Sequence, residues 1–393
     1  MNESKATRYQ RLRRRVRAAS VTSAVAMLAV VALTPLSPSL GQFAKAFAAG
    51  LPEPTASAVA LVLFVAVVAA LWELAGLPAA IYLGRRVDPA YGQAVPTVEE
   101  VVAAHVQAAL IALPMVIATG AVFLLAVRAA DRWWWLAAGP LLALLLVGAL
   151  RATPLVLGAL ATVRPVARPE LTRRLEQLAV RARVPIAGIG EWVVEEPAPT
   201  AAMLAGIGRT RRILLSSDLV LRWSDDEIVV VVAHELAHHV HGDLWRTVGL
   251  HVVLLWAALF VADVVVRASA GPLALVGPGD LAALPLIGLA TIGVWILTTP
   301  IRHAQSRRQE RRADVFALAV TGGIDAFGTA VTRLGARRLA EERPSVLTRW
   351  MFHSHPSVAE RLALAETFRG LRPAGPAVVL GRVNQTGSTG DRR

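Results

Sequence analysis

The sequence predicts a mainly α-helical membrane protein, with about six transmembrane helices and a cytoplasmic portion that contains a small β-sheet. Three observations carry this expectation. Of 393 residues, 55% are hydrophobic and the mean hydropathy is +0.52, too apolar for an ordinary soluble chain of this length. Six stretches match the ~20 mostly apolar residues that a helix needs to cross ~30 Å of hydrocarbon. Two polar portions beside them carry helix caps, short strand patterns and turn residues.

The apolar stretches lie near 18–36, 58–83, 101–127, 133–157, 246–267 and 281–301. Pro114 and Pro140 interrupt the third and fourth, which membrane helices tolerate. The first follows a basic run from Lys5 to Arg17 and reads as an uncleaved anchor; the cleavage-like Ala46-Phe47-Ala48 lies well beyond its apolar run.

Lys and Arg set the topology. The formal charge is +13, but the arginines flank apolar segments instead of interleaving with aromatics, so they read as positive-inside signals and no nucleic-acid partner is expected. With six crossings, the basic N-terminus, Arg85-Arg86 and the Arg-rich stretches 151–183 and 302–312 share one side, the cytoplasm. The opposite loops, 37–57, 128–132 and 267–280, are short and carry little positive charge. The expected organisation is a four-helix membrane region over 1–157, a cytoplasmic portion over 158–245, two crossings within 246–301, a cytoplasmic helical portion over 302–372 and a flexible tail over 373–393. Bacterial plasma membrane is the expected location.

In the first polar portion, Pro169-Glu170 opens a helix on which Leu171, Leu175, Leu178 and Ala182 recur at helical spacing. Strand-like runs follow at 189–195, 200–206 and 212–216, the last two joined by the turn Gly206-Ile207-Gly208-Arg209-Thr210. Ser224-Asp225-Asp226-Glu227 then has the form of a capping box and starts another helix.

That second helix carries the chemistry. His234 and His238 are four residues apart, so both imidazoles project from one face and suit a single zinc ion. Glu235, displaced around the helix, suits a general base, because zinc lowers the pKa of water towards ~7 and a nearby carboxylate completes proton transfer. The chain has no cysteine, which excludes disulfides, thiolate ligands and a cysteine nucleophile, and leaves His, Asp or Glu for a third ligand. Glu310 and Asp314, one turn apart in Ser306-Arg307-Arg308-Gln309-Glu310-Arg311-Arg312-Ala313-Asp314, are candidates on the same side of the membrane; alone, that stretch also reads as a solvated charged helix.

The order His-Glu-x-x-His, membrane helices, then Ser-Arg-x-x-Glu-x-x-Ala-Asp resembles the membrane zinc endopeptidases that comprise the CAAX prenyl proteases and the HtpX-type heat-shock proteases. The likeness extends over roughly 165–368. It includes Pro169-Glu170-Leu171, Arg183-Val184-Pro185, Gly206-x-Gly208 followed by Arg211 to Leu215, and His353-Ser354-His355-Pro356-Ser357 with Arg361-Leu362. It implies a zincin-like metalloprotease domain with one zinc per chain, held by His234, His238 and Glu310, with Glu235 as general base and Asp314 behind a ligand. By the same resemblance, His355 steadies the oxyanion or shapes the cleft, and Ala201, Ala202, Met203 and Leu204 form an edge strand to which a polypeptide substrate pairs.

Two departures stand out. The family usually places Asn-Ala where this chain has Ala201-Ala202, and its subgroups have seven or about four crossings against the six counted here. Glu73, His105 and Asp263 fall inside apolar crossings, where ionisable groups face either a hydrated space or a partner. Rival readings are hydrolysis of a lipid-linked small molecule, a catalytically silent zinc-binding regulator or scaffold, and a transporter. The edge strand, the intact Glu235 and the ordered soluble motifs argue against them respectively. Substrate identity and oligomeric state are not legible.

Overall fold

A computed structural model describes residues 5–93, 95–160, 162–193, 202–206, 208–337, 341 and 345–371. The expected tail and Ala201 lie outside these residues. The elements in order are α1 (Lys5–Leu33), α2 (Leu36–Ala48), α3 (Thr55–Tyr82), α4 (Asp88–Ala90), α5 (Val98–Ala130), α6 (Trp134–Leu160), β1 (Thr162–Pro165), α7 (Pro169–Arg181), β2 (Gly188–Val193), β3 (Ala202–Ala205), β4 (Arg212–Ser216), α8 (Ser217–Arg222), α9 (Asp225–Val240), α10 (Asp243–Ser269), α11 (Leu284–Leu297), α12 (Thr299–Thr321), α13 (Ile324–Arg337), α14 (Val346–Phe352) and α15 (Val358–Gly370).

Four helical stretches among the described residues are long and apolar enough to cross a membrane, and α11 with α12, bent by 51° at Thr298, makes a fifth. One of the four, Val98–Ala149, has 52 residues and turns at Asp131, where φ is 43°, so that α5 packs back along α6. The six apolar stretches of the sequence thus correspond to α1, α3, α5, α6, α10 and α11. These six pack in a closed ring, α1 on α3, α3 on α5, α5 on α6, α6 on α10, α10 on α11 and α11 on α1. A largely apolar cavity of about 570 Å³ lies within the ring, with Glu73 on its wall.

The intramembrane ionisable groups are paired. His105 Nε2 lies 3.4 Å from Glu73, and Asp263 accepts from Trp134 Nε1 at 2.6 Å and from Arg267 Nε at 2.9 Å. Burial of Asp263 without such donors would cost several kcal/mol in hydrocarbon. Two details differ from expectation. The Lys5–Arg17 run is helical and continuous with α1, and the expected loop 37–57 contains α2, anchored where Ser37 Oγ donates to Ala282 O at 2.7 Å.

The polar portions fold together. Leu171, Leu175 and Leu178 of α7 are fully buried against Leu215 of β4 and Ile228, Val232 and Leu236 of α9. The sheet has the order β1-β2-β4-β3, with β2 parallel to β4 and the outer pairs antiparallel. β3 is therefore a terminal strand, and it packs beside α9. The turn joining β3 to β4 needs glycine at 206: φ is 93°, and a Cβ there would meet Thr210 O at 2.6 Å.

Candidate metal centre

The helix that carries the histidines is held at its start. Ser224 Oγ accepts from Glu227 N at 3.3 Å while Glu227 Oε2 accepts from Ser224 N at 2.9 Å, a reciprocal cap. Glu227 also takes two bonds from Arg333, whose guanidinium stacks on Trp223 at 4.4 Å. Burial opposes its ionisation, but the Ser224 backbone and Arg333 outweigh it and hold the carboxyl below its usual range. At the other end Gly242, with φ of 65°, breaks the helix and sends the chain into α10.

α12 packs along α9 and brings Glu310 to the histidines. His234 Nε2 lies 3.2 Å from Glu310 Oε2 and His238 Nε2 lies 3.7 Å from Glu310 Oε1. Ligand atoms of the three side chains fall within 4.8 Å of one another. The two outer ring nitrogens are occupied: His234 Nδ1 is 2.9 Å from Asp314 and His238 Nδ1 is 3.0 Å from Asp243. Carboxylates at both Nδ1 positions fix the tautomer that leaves each Nε2 lone pair facing inward, so the donor set suits a divalent metal such as zinc.

The outer carboxylates are themselves held. Arg361 forks onto Asp314 at 2.9 and 2.5 Å, and Arg312 reaches Asp243 at 2.7 Å. Gln309 donates to the Asp243 carbonyl and bonds Thr247. Asp243 does not stand out in the sequence, and Gln309 and Arg361 stand there only within longer motifs. The signal for Asp243 is the preceding Gly242: only a sharp helix stop returns a residue five positions on to the face of His238.

Without metal, burial disfavours the His234 cation, yet Asp314 and Glu310 outweigh it and raise the imidazole to about 9. Glu310 moves the other way, to about 2, since His234, His355 and His238 offset its burial. Glu235 is half-buried, and desolvation pushes its carboxyl up despite the two histidines. His355 Nε2 approaches Glu310 Oε1 at 3.3 Å from the open side, where the side chain is 57% exposed. Its Nδ1 pairs with Ser354 Oγ at 2.9 Å. His234, His238, Glu310, Asp314 and His355 thus converge, and Ala202, Met203 and Leu204 lie on the terminal strand beside the same helix. His239, His241 and His251 are not in the converging set; burial pushes His239 down to about 4.

Comparison with known proteins matches these features in sequence order. Residues 165–368 match the model of peptidase family M48, and residues 2–157 match the CAAX prenyl protease N-terminal region, described by five membrane helices. Here the latter span holds α1 to α5 and most of α6, of which α2, with 13 residues, and α4, with 3, are too short to cross alone. The metalloprotease YhfN of Bacillus subtilis is 30% identical over 207 residues, 51% of this chain and 49% of that one. A CAAX prenyl protease 1 homolog of Caenorhabditis elegans is 32% identical over 153 residues, 37% of this chain and 34% of that one. Protease HtpX of Idiomarina loihiensis is 26% identical over 214 residues, covering 51% and 72% of the two chains. The matches thus span about half of YhfN and a third of the nematode protein. Among solved structures, Ste24p of S. mikatae shares the fold, with a TM-score of 0.69 at 20% identity over 83% of this chain and 79% of that one. More than half of the chain, including His234, His238, Glu310 and His355, lies within the first of these matches, and the chain belongs to peptidase family M48.

Proposed function

We propose that this chain is a zinc-dependent integral-membrane endopeptidase that hydrolyses peptide bonds at the cytoplasmic membrane face, in quality control or processing of membrane proteins. The observation that carries the reading is the convergence of His234, His238 and Glu310 within 4.8 Å, with carboxylates behind both imidazoles. These three residues would hold one zinc ion. Zinc, when bound, polarises a carbonyl and acidifies water, the chemistry that amide hydrolysis requires.

The chain's own groups do the rest. Glu235 is half-buried and its carboxyl is raised by desolvation, so it takes the proton of the attacking water and returns it to the leaving amine. His355, on the open side of Glu310, donates from Nε2 to the carbonyl oxygen as charge develops there. Asp314 and Asp243 keep the imidazoles in register, and Arg361 and Arg312 hold those carboxylates in place. An extended polypeptide pairs with the edge of β3 that has no partner strand among the described residues, across Ala202, Met203 and Leu204, with Ala201 next in sequence. Backbone pairing holds many sequences, and the absence of the Asn amide at 201 leaves specificity to pockets beyond the strand.

The cytoplasmic orientation rests on the arginines that border α1, α3, α6 and α12. Purified wild type and Glu235→Gln, each loaded with zinc in detergent, test the reaction on a casein substrate. The expected result is equal zinc content with cleavage reduced by at least about 10²-fold in the variant, the range of general acid–base contributions. Undiminished cleavage by Glu235→Gln refutes the assigned mechanism, and zinc without cleavage in the wild type favours the scaffold reading.

A further inference from the structure

A second cleft, of about 990 Å³, lies on the other side of α12 from the histidines. Its wall is one stripe of that helix, Ile301, Ala304, Gln305, Arg308 and Arg312, joined by Arg307 and Arg311, by Arg246 from α10 and by Arg349 from α14. Six arginines face a single lining carboxylate, Glu360, which is taken by Arg349 at 2.8 Å and by the cap of α15. Among the described residues Arg246, Arg308 and Arg311 have no acidic partner, and the Nε atoms of Arg312 and Arg349 are buried without an acceptor. Burial and the neighbouring Arg349 push the Arg307 guanidinium down. A cleft with this excess of donors and one paired acid is complementary to a polyanion with several acceptor oxygens.

The surroundings say which anion. Ile301 of the lining is exposed, and exposed apolar side chains neighbour other lining residues along the chain: Trp245 beside Arg246, Leu297 before the α11–α12 bend, and Leu347 and Trp350 with Arg349 on α14. The Trp350 carbonyl faces His303 Nδ1 at 3.2 Å on the first turns of α12, where the neighbouring Arg302 stacks back on Trp295 of the apolar α11 at 3.9 Å. Exposed tryptophans and arginines at the end of a spanning helix mark the headgroup level of a bilayer. We propose that this cleft binds the phosphate-bearing headgroup of an anionic phospholipid, with the acyl chains lying against the exposed residues of α11 and α14. The site communicates with the metal centre through Arg312, Asp243 and His238, so headgroup binding draws on the same guanidinium that steadies one histidine. An acidic polypeptide would not need these apolar neighbours.

The test uses the full chain in neutral detergent with short-chain phosphatidylglycerol, matched phosphatidylcholine and inorganic phosphate, followed by native mass spectrometry and thermal midpoint. Wild type retains phosphatidylglycerol in preference to phosphatidylcholine and gains thermal stability, phosphate alone does not reproduce the gain, and added salt weakens it. Arg246→Gln with Arg308→Gln removes two unpaired, exposed guanidiniums and weakens phosphatidylglycerol on the order of tenfold. Arg173→Gln with Arg181→Gln, on α7, removes the same charge and leaves binding unchanged. Equal phosphatidylglycerol binding by wild type and the cleft double variant, or equal retention of the two lipids, overturns the proposal. A matching gain from phosphate alone reassigns the cleft to a free anion, and tighter binding of a polyglutamate peptide reassigns it to an acidic polypeptide. The readout needs no proteolysis, and Glu235→Gln binds phosphatidylglycerol as wild type does, so failure here is separable from failure of the peptidase reading.

Discussion

The membrane ring and the sheet-bearing portion are both rich in apolar residues, yet they use them differently. In the spanning helices only 17–22% of each apolar window is buried within the protein, and Leu144, for example, is 69% exposed. Around α7 and α9 the leucines are wholly buried. Lipid replaces protein as the neighbour in the first region, so apolar character there sets location, whereas in the second it sets packing. Polar groups follow the same division. The ring holds a few isolated contacts, such as the pair of Glu73 with His105, while the metal centre is a connected set in which each histidine, carboxylate and guanidinium fixes the next. A connected set transmits the loss of one member; isolated pairs do not.

The sharpest way to break this comparison is a matched truncation. Leu178→Ala is expected to cost about 2–5 kcal/mol, as a large-to-small change in a closed core, against under about 0.5 kcal/mol for Leu144→Ala on the lipid face. Thermal unfolding of the two variants in one detergent decides it, and equal losses would erase the distinction. Next in size is Asp243→Ala, which frees His238 Nδ1 and Arg312 together. Zinc affinity should fall about 10–100-fold while the fold is kept, measured by competition with a chelator. Smallest is Ser224→Ala, which removes half of the cap on α9 for about 1 kcal/mol. Its partner Glu227 has a depressed folded pKa, so the cap's charge contribution is present above the ordinary value of 4.5 and is lost as pH falls through the lower folded value. Wild type should therefore lose stability in acid more steeply than Glu227→Gln, which unfolding midpoints against pH will show.

Much of this was legible in local pattern. The helix of Pro169, the cap at Ser224 and the strands near 189 and 212 rest on periodicity and turn chemistry that neighbours in sequence supply. The face shared by His234 and His238 is equally local. The short α4 and α8 were not legible, and two further elements show why. α2 reads as a loop because its stability comes from contacts with α3 and with Ala282, far along the chain. β1 has four residues, all exposed, and exists only through its pairing with β2. Asp243 escaped notice because its value depends on the break at Gly242, and the arginine cleft because a charged helix alone does not show which of its residues share a wall. The arrival of Glu310 beside the histidines was inferred through the family resemblance; the packing of α12 on α9 supplies the physical reason.

The most direct test of the central claim is metal content and X-ray absorption of wild type and Glu310→Ala purified in detergent. The account predicts one zinc per wild-type chain with two imidazole nitrogens and a carboxylate oxygen at about 2.0–2.2 Å, and loss or marked weakening of zinc in the variant. A folded wild type without zinc, or an identical zinc environment in Glu310→Ala, would contradict it.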